Sequence, residues 1–487
     1  MMVFGIAGSV LWGVFLFVFC WAMGKPFAET FAFSLAQTVL IGVCAAGWFS
    51  VKRPLYEASP LPWASLTFFV YFGVGTIWGF VDPAVLAFPF GAPCFPTAVL
   101  IAAIFWGVVV IGFHALPRLR RFPALARDKS ISSVAVVLVL SAICLLRIWF
   151  LLKRGDIPAR VAKGFTGPVT SSIWEATWIA VFPLIGVCLW LLITEKAMTT
   201  RWAVAAVSVL ILLLYRLIDA SPARAVESAA VFLPIYILAK KRVVPKFWLI
   251  LLFCLLLLLM PLFNLFKRPI KHMDVRYGLA QRFKARRQTV KQTMRSNFWR
   301  EFKLRVRRAF SWRICGADLL AAVISREKGP LLINSDTTNL QNAIIGVIPR
   351  ALWPGKPLMT HRYAPETYIM LKHRLGDFDA MITRPTDAYA SFGLVGVVVF
   401  GFLFGMFMHA IFLACFAKRV TIFGVAMYAF WFRYFIHQET DLFADFLVSM
   451  RGAAVLGGIL FAVALLAKVL HPAGRFPYGQ EGLSWHR

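Results

Sequence analysis

Acid is scarce in this chain. Its 487 residues hold 22 Asp and Glu against 52 Lys and Arg, a formal net charge of +30. Charge of either sign is thin, at 15 % of residues, where soluble domains carry about a quarter. Hydrophobic residues make up 60 %, and together these values exclude a soluble domain of this length. The eight cysteines (Cys20, Cys44, Cys94, Cys144, Cys188, Cys254, Cys315 and Cys415) contain no Cys-x-x-Cys and lie mostly in apolar runs. Neither a disulfide nor a zinc framework is readable from them. The first apolar run lacks a small-residue cleavage site after a short core, which predicts a retained helix and not a signal peptide. No repeat relates the two halves.

What the chain has is apolar length. Runs of about 20 apolar residues match a hydrocarbon core of roughly 30 Å. Backbone polar groups in lipid must be satisfied within the segment, so such runs are helices. Twelve are predicted: 3–23, 28–50, 62–82, 92–116, 131–152, 173–194, 202–219, 225–239, 247–265, 391–417, 420–436 and 452–470. The eighth is short and the eleventh polar. The fold class expected is all-α: a polytopic membrane protein of about twelve spans. It divides into helices over 1–265, a large loop over 266–390, and helices with a cytoplasmic tail over 391–487.

Orientation follows from the short loops. One side carries Lys52 and Arg53, the 118–129 cluster, Lys196 and Arg201, the 240–246 cluster, and Lys418 and Arg419. The other side is poorer apart from 153–172, so both termini are expected in the cytoplasm. The long loop then faces the periplasm or exterior. It holds 24 Lys and Arg against 9 Asp and Glu, a net 15 of the chain's +30. Its first part, 276–313, reads as a helix, because Leu279, Phe283, Val290, Met294 and Phe298 fall within about a 100° arc. One reading lays this basic helix on an anionic membrane surface; a sharper one turns a few of its cations inward toward a lipid diphosphate. A nucleic-acid partner is not expected, since the segment lies outside the cytoplasm and holds no recognition module.

An apolar helical piece follows at 315–325, closed by Gly329-Pro330. Next comes 331–390, rich in Pro, Gly, Asp and Thr. Long segments without a period are functional or disordered, and the aromatics and prolines here favour function. Within it stands Ile348-Pro349-Arg350-Ala351-Leu352-Trp353-Pro354-Gly355-Lys356-Pro357, a stiff, cationic, aromatic turn beside a bilayer.

These residues carry a resemblance. The order Gly329-Pro330, Asn334-Ser335-Asp336-Thr337, then Ile348-Pro349-Arg350-x-x-Trp353-Pro354-x-Lys356-Pro357 resembles the periplasmic loop of Wzy-type polymerases, which join oligosaccharide repeat units of bacterial O-antigen and exopolysaccharide. Thr383-x-Pro385-Thr386-Asp387-Ala388-Tyr389-x-x-Phe392-Gly393-x-x-Gly396 resembles it as well, leading straight into a span. So do Ser221-Pro222-Ala223-Arg224 before the eighth run and Arg313 with Ala317-Asp318. The close match covers roughly 310–400; elsewhere only helix count and loop placement agree. The resemblance implies a GT-C-like glycosyltransferase in the bacterial inner membrane with its site facing the periplasm. Donor and acceptor are undecaprenyl-diphosphate-linked oligosaccharides. The growing glycan leaves its diphosphate and is transferred to the non-reducing end of the incoming unit. No cofactor is implied, neither nucleotide sugar nor metal. Membrane lipids and a chain-length regulator are the further partners expected.

Chemistry assigns roles to the residues. The leaving diphosphate is anionic, and fixed cations beside it lower the cost of bond cleavage. Arg binds phosphate oxygens in pairs and stays charged. Arg224, Arg313 and Arg350 are the candidates, with Lys356 as a point charge and Arg384 as a further substrate contact. The plainer alternatives are a snorkelling lip charge for Arg224, a surface-helix charge for Arg313, and a turn-stabilising cation for Arg350. The attacking hydroxyl must lose a proton, and Asp387 is the first candidate base, with a helix N-cap as its alternative. His361 is the second candidate, against a hydrogen-bonding loop residue. Trp353, Tyr363, Tyr368 and Tyr389 present faces for sugars or anchors for the interface. Arg147, Glu175, Arg216, Asp219, Glu227, Arg433, His437, Glu439, Asp441, Asp445 and Arg451 lie in or at the ends of helices, where charge is costly. The 433–445 group reads either as a cavity wall or as a structural ion-pair cluster. Its spacing fits no metal motif well.

Two other functions stay open. A transporter or flippase of an anionic lipid-linked glycan suits the buried charges, but the missing repeat and the dominant loop weigh against it. An O-antigen-ligase-like transferase has a similar layout and would depend on a periplasmic His such as His361.

Overall fold

The computed structural model describes residues 2–51, 58–83, 86, 88–115, 133–154, 179–195, 199–219, 222–240, 288, 315–326, 348, 353, 382–416, 420–438 and 442–470. Among these, all regular structure is helical and no strand occurs. In chain order the helices are α1 (Met2–Ala22), α2 (Phe27–Phe49), α3 (Pro60–Phe68) and α4 (Gly75–Val81), the last two joined by a π-turn over Phe69–Val74. A 3-10 turn over Pro89–Cys94 leads into α5 (Phe95–Ala115). Then come α6 (Ser133–Arg154), α7 (Val181–Thr194), α8 (Thr200–Asp219), α9 (Pro222–Lys240), α10 (Asp318–Arg326), α11 (Arg384–Phe416), α12 (Ile422–Ile436) and α13 (Ala444–Leu470).

Helices stand at eleven of the twelve predicted runs; the run 247–265 lies outside the described residues. Among the described residues, five helical stretches are long and apolar enough to cross a membrane: 27–49, 60–81, 91–115, 384–416 and 446–466. Large apolar side chains face outward along the helices, among them Leu11, Leu210, Val395 and Phe461. A surface of that kind suits lipid and would be an aggregation liability in water. The chain is therefore compatible with a multi-pass membrane protein, built of apolar helices packed side by side.

The packing runs through two groups. In the first, α1 lies on α2, α2 on α5, and α5 on α11. In the second, α6 and α8 pair, and α7 packs on α8, α9 and α12. Helix α12 joins the groups by touching α7, α9, α3 and α11, and it carries α13 on a further side. The α5–α11 seam is the tightest. Gly401 and Gly405, one turn apart on α11, face the α5 backbone. A Cβ on Gly401 would stand 2.9 Å from the Phe105 carbonyl oxygen, and one on Gly405 would stand 2.8 Å from the Phe113 nitrogen and collide with the Val109 carbonyl oxygen. Gly112 of α5 likewise abuts the Phe402 carbonyl. Small residues at four-residue spacing let membrane helices approach this closely.

Two helices start about two turns earlier than hydropathy predicts. Helix α11 begins at Arg384, not 391, and α13 at Ala444, not 452. An apolar-run criterion stops at the first polar turn, whereas in α11 the polar turn is helical because its side chains find buried partners. Within α11, Gly393 departs from helical geometry at φ 62°, ψ −150°, a region essentially restricted to glycine. It separates a short polar helix, 384–392, from the spanning part, 394–416.

Candidate functional site

Two stretches of the long loop pack onto the bundle, one within it and one at its second end. In the first, every residue of 315–323 is buried. Gly316 donates its N–H to the Tyr71 carbonyl at 2.9 Å, and its Cα sits against the Phe72 ring, where a Cβ would lie 3.0 Å away. The π-turn makes this acceptor available, because a wider turn frees carbonyls from the i→i−4 ladder. The neighbouring carbonyls of Phe72 and Gly73 accept from Gln37 Nε2 at 3.1 and 3.4 Å, and Gln37 also donates to Thr76 Oγ1 at 2.7 Å. On the other side of α10, Asp318 Oδ1 accepts from the Phe88 N–H at 3.3 Å. Gly91 packs so closely that a Cβ there would stand 2.7 Å from Ala322 N. Helix α10 is thus held between the π-turn and the 3-10 turn.

Burial, with the Asp318 carboxylate beside it, pushes the Cys315 thiol well above its usual range. The thiolate is the reactive form. In folded protein Cys315 should therefore resist a soluble maleimide and label only after unfolding, as read by peptide mass mapping. Rapid labelling of Cys315 in folded protein would show that α10 is not docked.

At the second end, the first turns of α11 form a buried polar cluster. Thr383 Oγ1 and Thr386 Oγ1 share a hydrogen bond at 2.7 Å, and Asp387 N–H donates to the Thr383 carbonyl at 2.9 Å. Arg384 is 1 % exposed. Its guanidinium donates to the Tyr434 carbonyl and reaches Gln438 Oε1 at 3.5 Å. It also stands 4.6 Å from the Phe404 ring centre and 4.8 Å from that of Tyr434, within cation–π range. Gln438 is 2 % exposed and passes the network on, donating from Nε2 to Thr67 Oγ1 at 3.0 Å.

Asp387 is also 1 % exposed. Its Oδ2 accepts from the N–H groups of Leu442 and Phe443 at 2.9 and 3.3 Å, and its Oδ1 accepts from Ser391 Oγ at 3.5 Å. The carboxylate therefore ties the approach to α13 onto α11. Tyr389 is half-buried, close to Cys94. Helix α10 touches α5 and α11, so the two docked loop segments lie on neighbouring helices.

Three of the nine candidate residues, Arg384, Asp387 and Tyr389, share these first turns of α11. Arg224 lies in the first turn of α9. Trp353 is exposed and outside regular structure. Arg313, Arg350, Lys356 and His361 lie outside the described residues, as do Tyr363, Tyr368 and all of the predicted helix 276–313 except Gln288. Of the other ionisable residues, Arg147 is buried in α6, and Arg433 stacks 5.1 Å from the Phe182 ring centre. His437 closes α12, while Glu439 and Asp441 lie outside the described residues. Gln37 and Gln438 do not stand out in the sequence. The available signal is an amide or hydroxyl beside or within an apolar run, which in lipid needs a partner.

Residues 226–428 match a family described as a domain of unknown function (DUF8712). No curated protein and no solved structure matches the chain.

Proposed function

We propose that this protein is a polysaccharide polymerase of the Wzy type, a glycosyltransferase of about twelve spans in a bacterial inner membrane. It joins undecaprenyl-diphosphate-linked oligosaccharide units on the periplasmic side. The observation that carries this reading is the docking of two loop segments, 315–326 and 382–391, on the bundle. In sequence these segments flank the motif with Arg350, Trp353 and Lys356. A cationic motif whose flanking segments dock on a helix bundle suits a diphosphate-bearing lipid whose prenyl chain stays in the bilayer.

The chemistry is a displacement at the anomeric carbon of the donor glycan. An acceptor hydroxyl oxygen forms the new glycosidic bond, and its proton passes to a base. The bond to the diphosphate breaks, and the diphosphate leaves with the electron pair. Arg224, Arg313 and Arg350, with Lys356, supply positive charge where that charge develops. Trp353 and Tyr389 offer faces to sugars.

The test is to incubate purified protein in proteoliposomes with a defined undecaprenyl-diphosphate oligosaccharide and resolve the products on a gel. A ladder at intervals of one repeat unit is expected. Lipid-linked substrate recovered at its original length would defeat the reading.

A further inference from the structure

We propose that Asp387, together with Arg384, is a positioning residue that braces the α12–α13 connection against α11, and that Asp387 is not the proton acceptor of the reaction; the catalytic part of this rests on the polymerase reading. The two side chains lie three apart, on one face of the short polar helix 384–392. Each grips one end of the same connection. Arg384 binds the Tyr434 carbonyl and Gln438, at the end of α12. Asp387 binds the Leu442 and Phe443 N–H groups, at the start of α13. Gln438 ties the same end to Thr67 of α3.

A general base must come within hydrogen-bond reach of the proton it removes. The Asp387 carboxyl is 1 % exposed, and each of its oxygens already accepts a hydrogen bond from the protein. Those bonds are worth keeping. Backbone N–H groups ahead of a helix are orphan donors that nothing else in the helix satisfies, and in a lipid-bounded bundle an unsatisfied one is costly. The Gly393 break has a use in this design. It lets 384–392 take its own direction, set by the brace, while 394–416 keeps the close seam against α5. The brace thus fixes the end of α12 and the approach to α13 against the docked start of α11.

The base and the brace make opposite demands on residue 387. A base needs an ionisable group; a brace needs an acceptor oxygen of the right shape. Asp387→Asn keeps the oxygen and removes the ionisation, whereas Asp387→Leu removes both. The experiment has two arms on purified full-length protein. Hydrogen exchange reads the Leu442 and Phe443 amides, and the proteoliposome assay reads polymer. The expected outcome is an Asp387→Asn rate within about tenfold of wild type with an unchanged pH profile, since replacing a charged acceptor by a neutral one weakens the bond without abolishing it. Asp387→Leu should expose both amides to fast exchange and lose polymer. An Asp387→Asn protein that is folded and protected at both amides, yet about a hundredfold or more slower, would identify a proton acceptor and overturn the proposal. Unchanged exchange at both amides in folded Asp387→Leu would overturn it as well. If Asp387→Leu does not fold, the Asp387→Asn rate and exchange decide alone. The exchange arm needs no substrate, so a wild-type protein that makes no polymer would sink the polymerase reading and leave the brace tested by itself.

Discussion

Arg350→Ala removes polymer while the protein's level in the membrane holds, and Arg224→Ala does the same. The expectation rests on charge. The polyprenyl diphosphate leaves as an anion, and a cation set beside it in advance lowers the barrier without reorganising during the reaction. Removing one such donor typically costs on the order of a hundred- to a thousandfold in rate, enough to empty a polymer ladder. Arg224 has a further reason to act there. It lies in the first turn of α9, two residues after Pro222, where the helix end favours anions. Arg→Lys at either position keeps the charge and loses the paired donors, so partial recovery with shortened chains is expected. If these cations only snorkel to the interface or steady a turn, the alanine variants will make normal chain lengths.

Gly405→Val abolishes the folded protein rather than its activity alone. Overpacked cores typically lose about 1–3 kcal/mol when neighbours can shift. Here the obstacles are the Val109 carbonyl and the Phe113 nitrogen, backbone atoms of α5 that cannot rotate away. The loss falls on the seam that holds the first helix group together, between α5 and α11. Lipid supplies no hydrophobic drive between helices, so close packing carries the association. Aggregated material and little or no monodisperse peak after detergent extraction are expected. Gly457→Val, on α13 where nothing lies within 4 Å of the added carbon, should behave like wild type. A Gly405→Val protein that melts with wild type would mean that the seam is looser than described.

The helices were legible in the sequence because lipid forces backbone groups to be satisfied within the segment, so apolar length and helix coincide. The close approach of α5 and α11, through Gly401 and Gly405, goes beyond what apolar length alone announces. The polar turns were not legible either. Arg384 is helical and buried because it meets Gln438, 54 residues away, and Gln438 in turn meets Thr67, 371 residues away. No local pattern announces partners at that distance. The π-turn is similar: its carbonyls are taken up by Gln37 and Gly316, which only the fold brings near. Asp387 was legible as a carboxylate leading into a span, a candidate base or a helix N-cap. Its grip on the start of a different helix was not, because a helix N-cap and a cross-helix brace look alike in one dimension.

Release of undecaprenyl diphosphate, counted against glycosidic bonds formed by the purified protein, tests the central claim most directly. Glycosyl transfer from a lipid diphosphate predicts one molecule released for each bond, with both quantities falling together in Arg350→Ala. Lipid-linked oligosaccharide that crosses the bilayer intact, with no undecaprenyl diphosphate set free, would contradict it and point to a carrier.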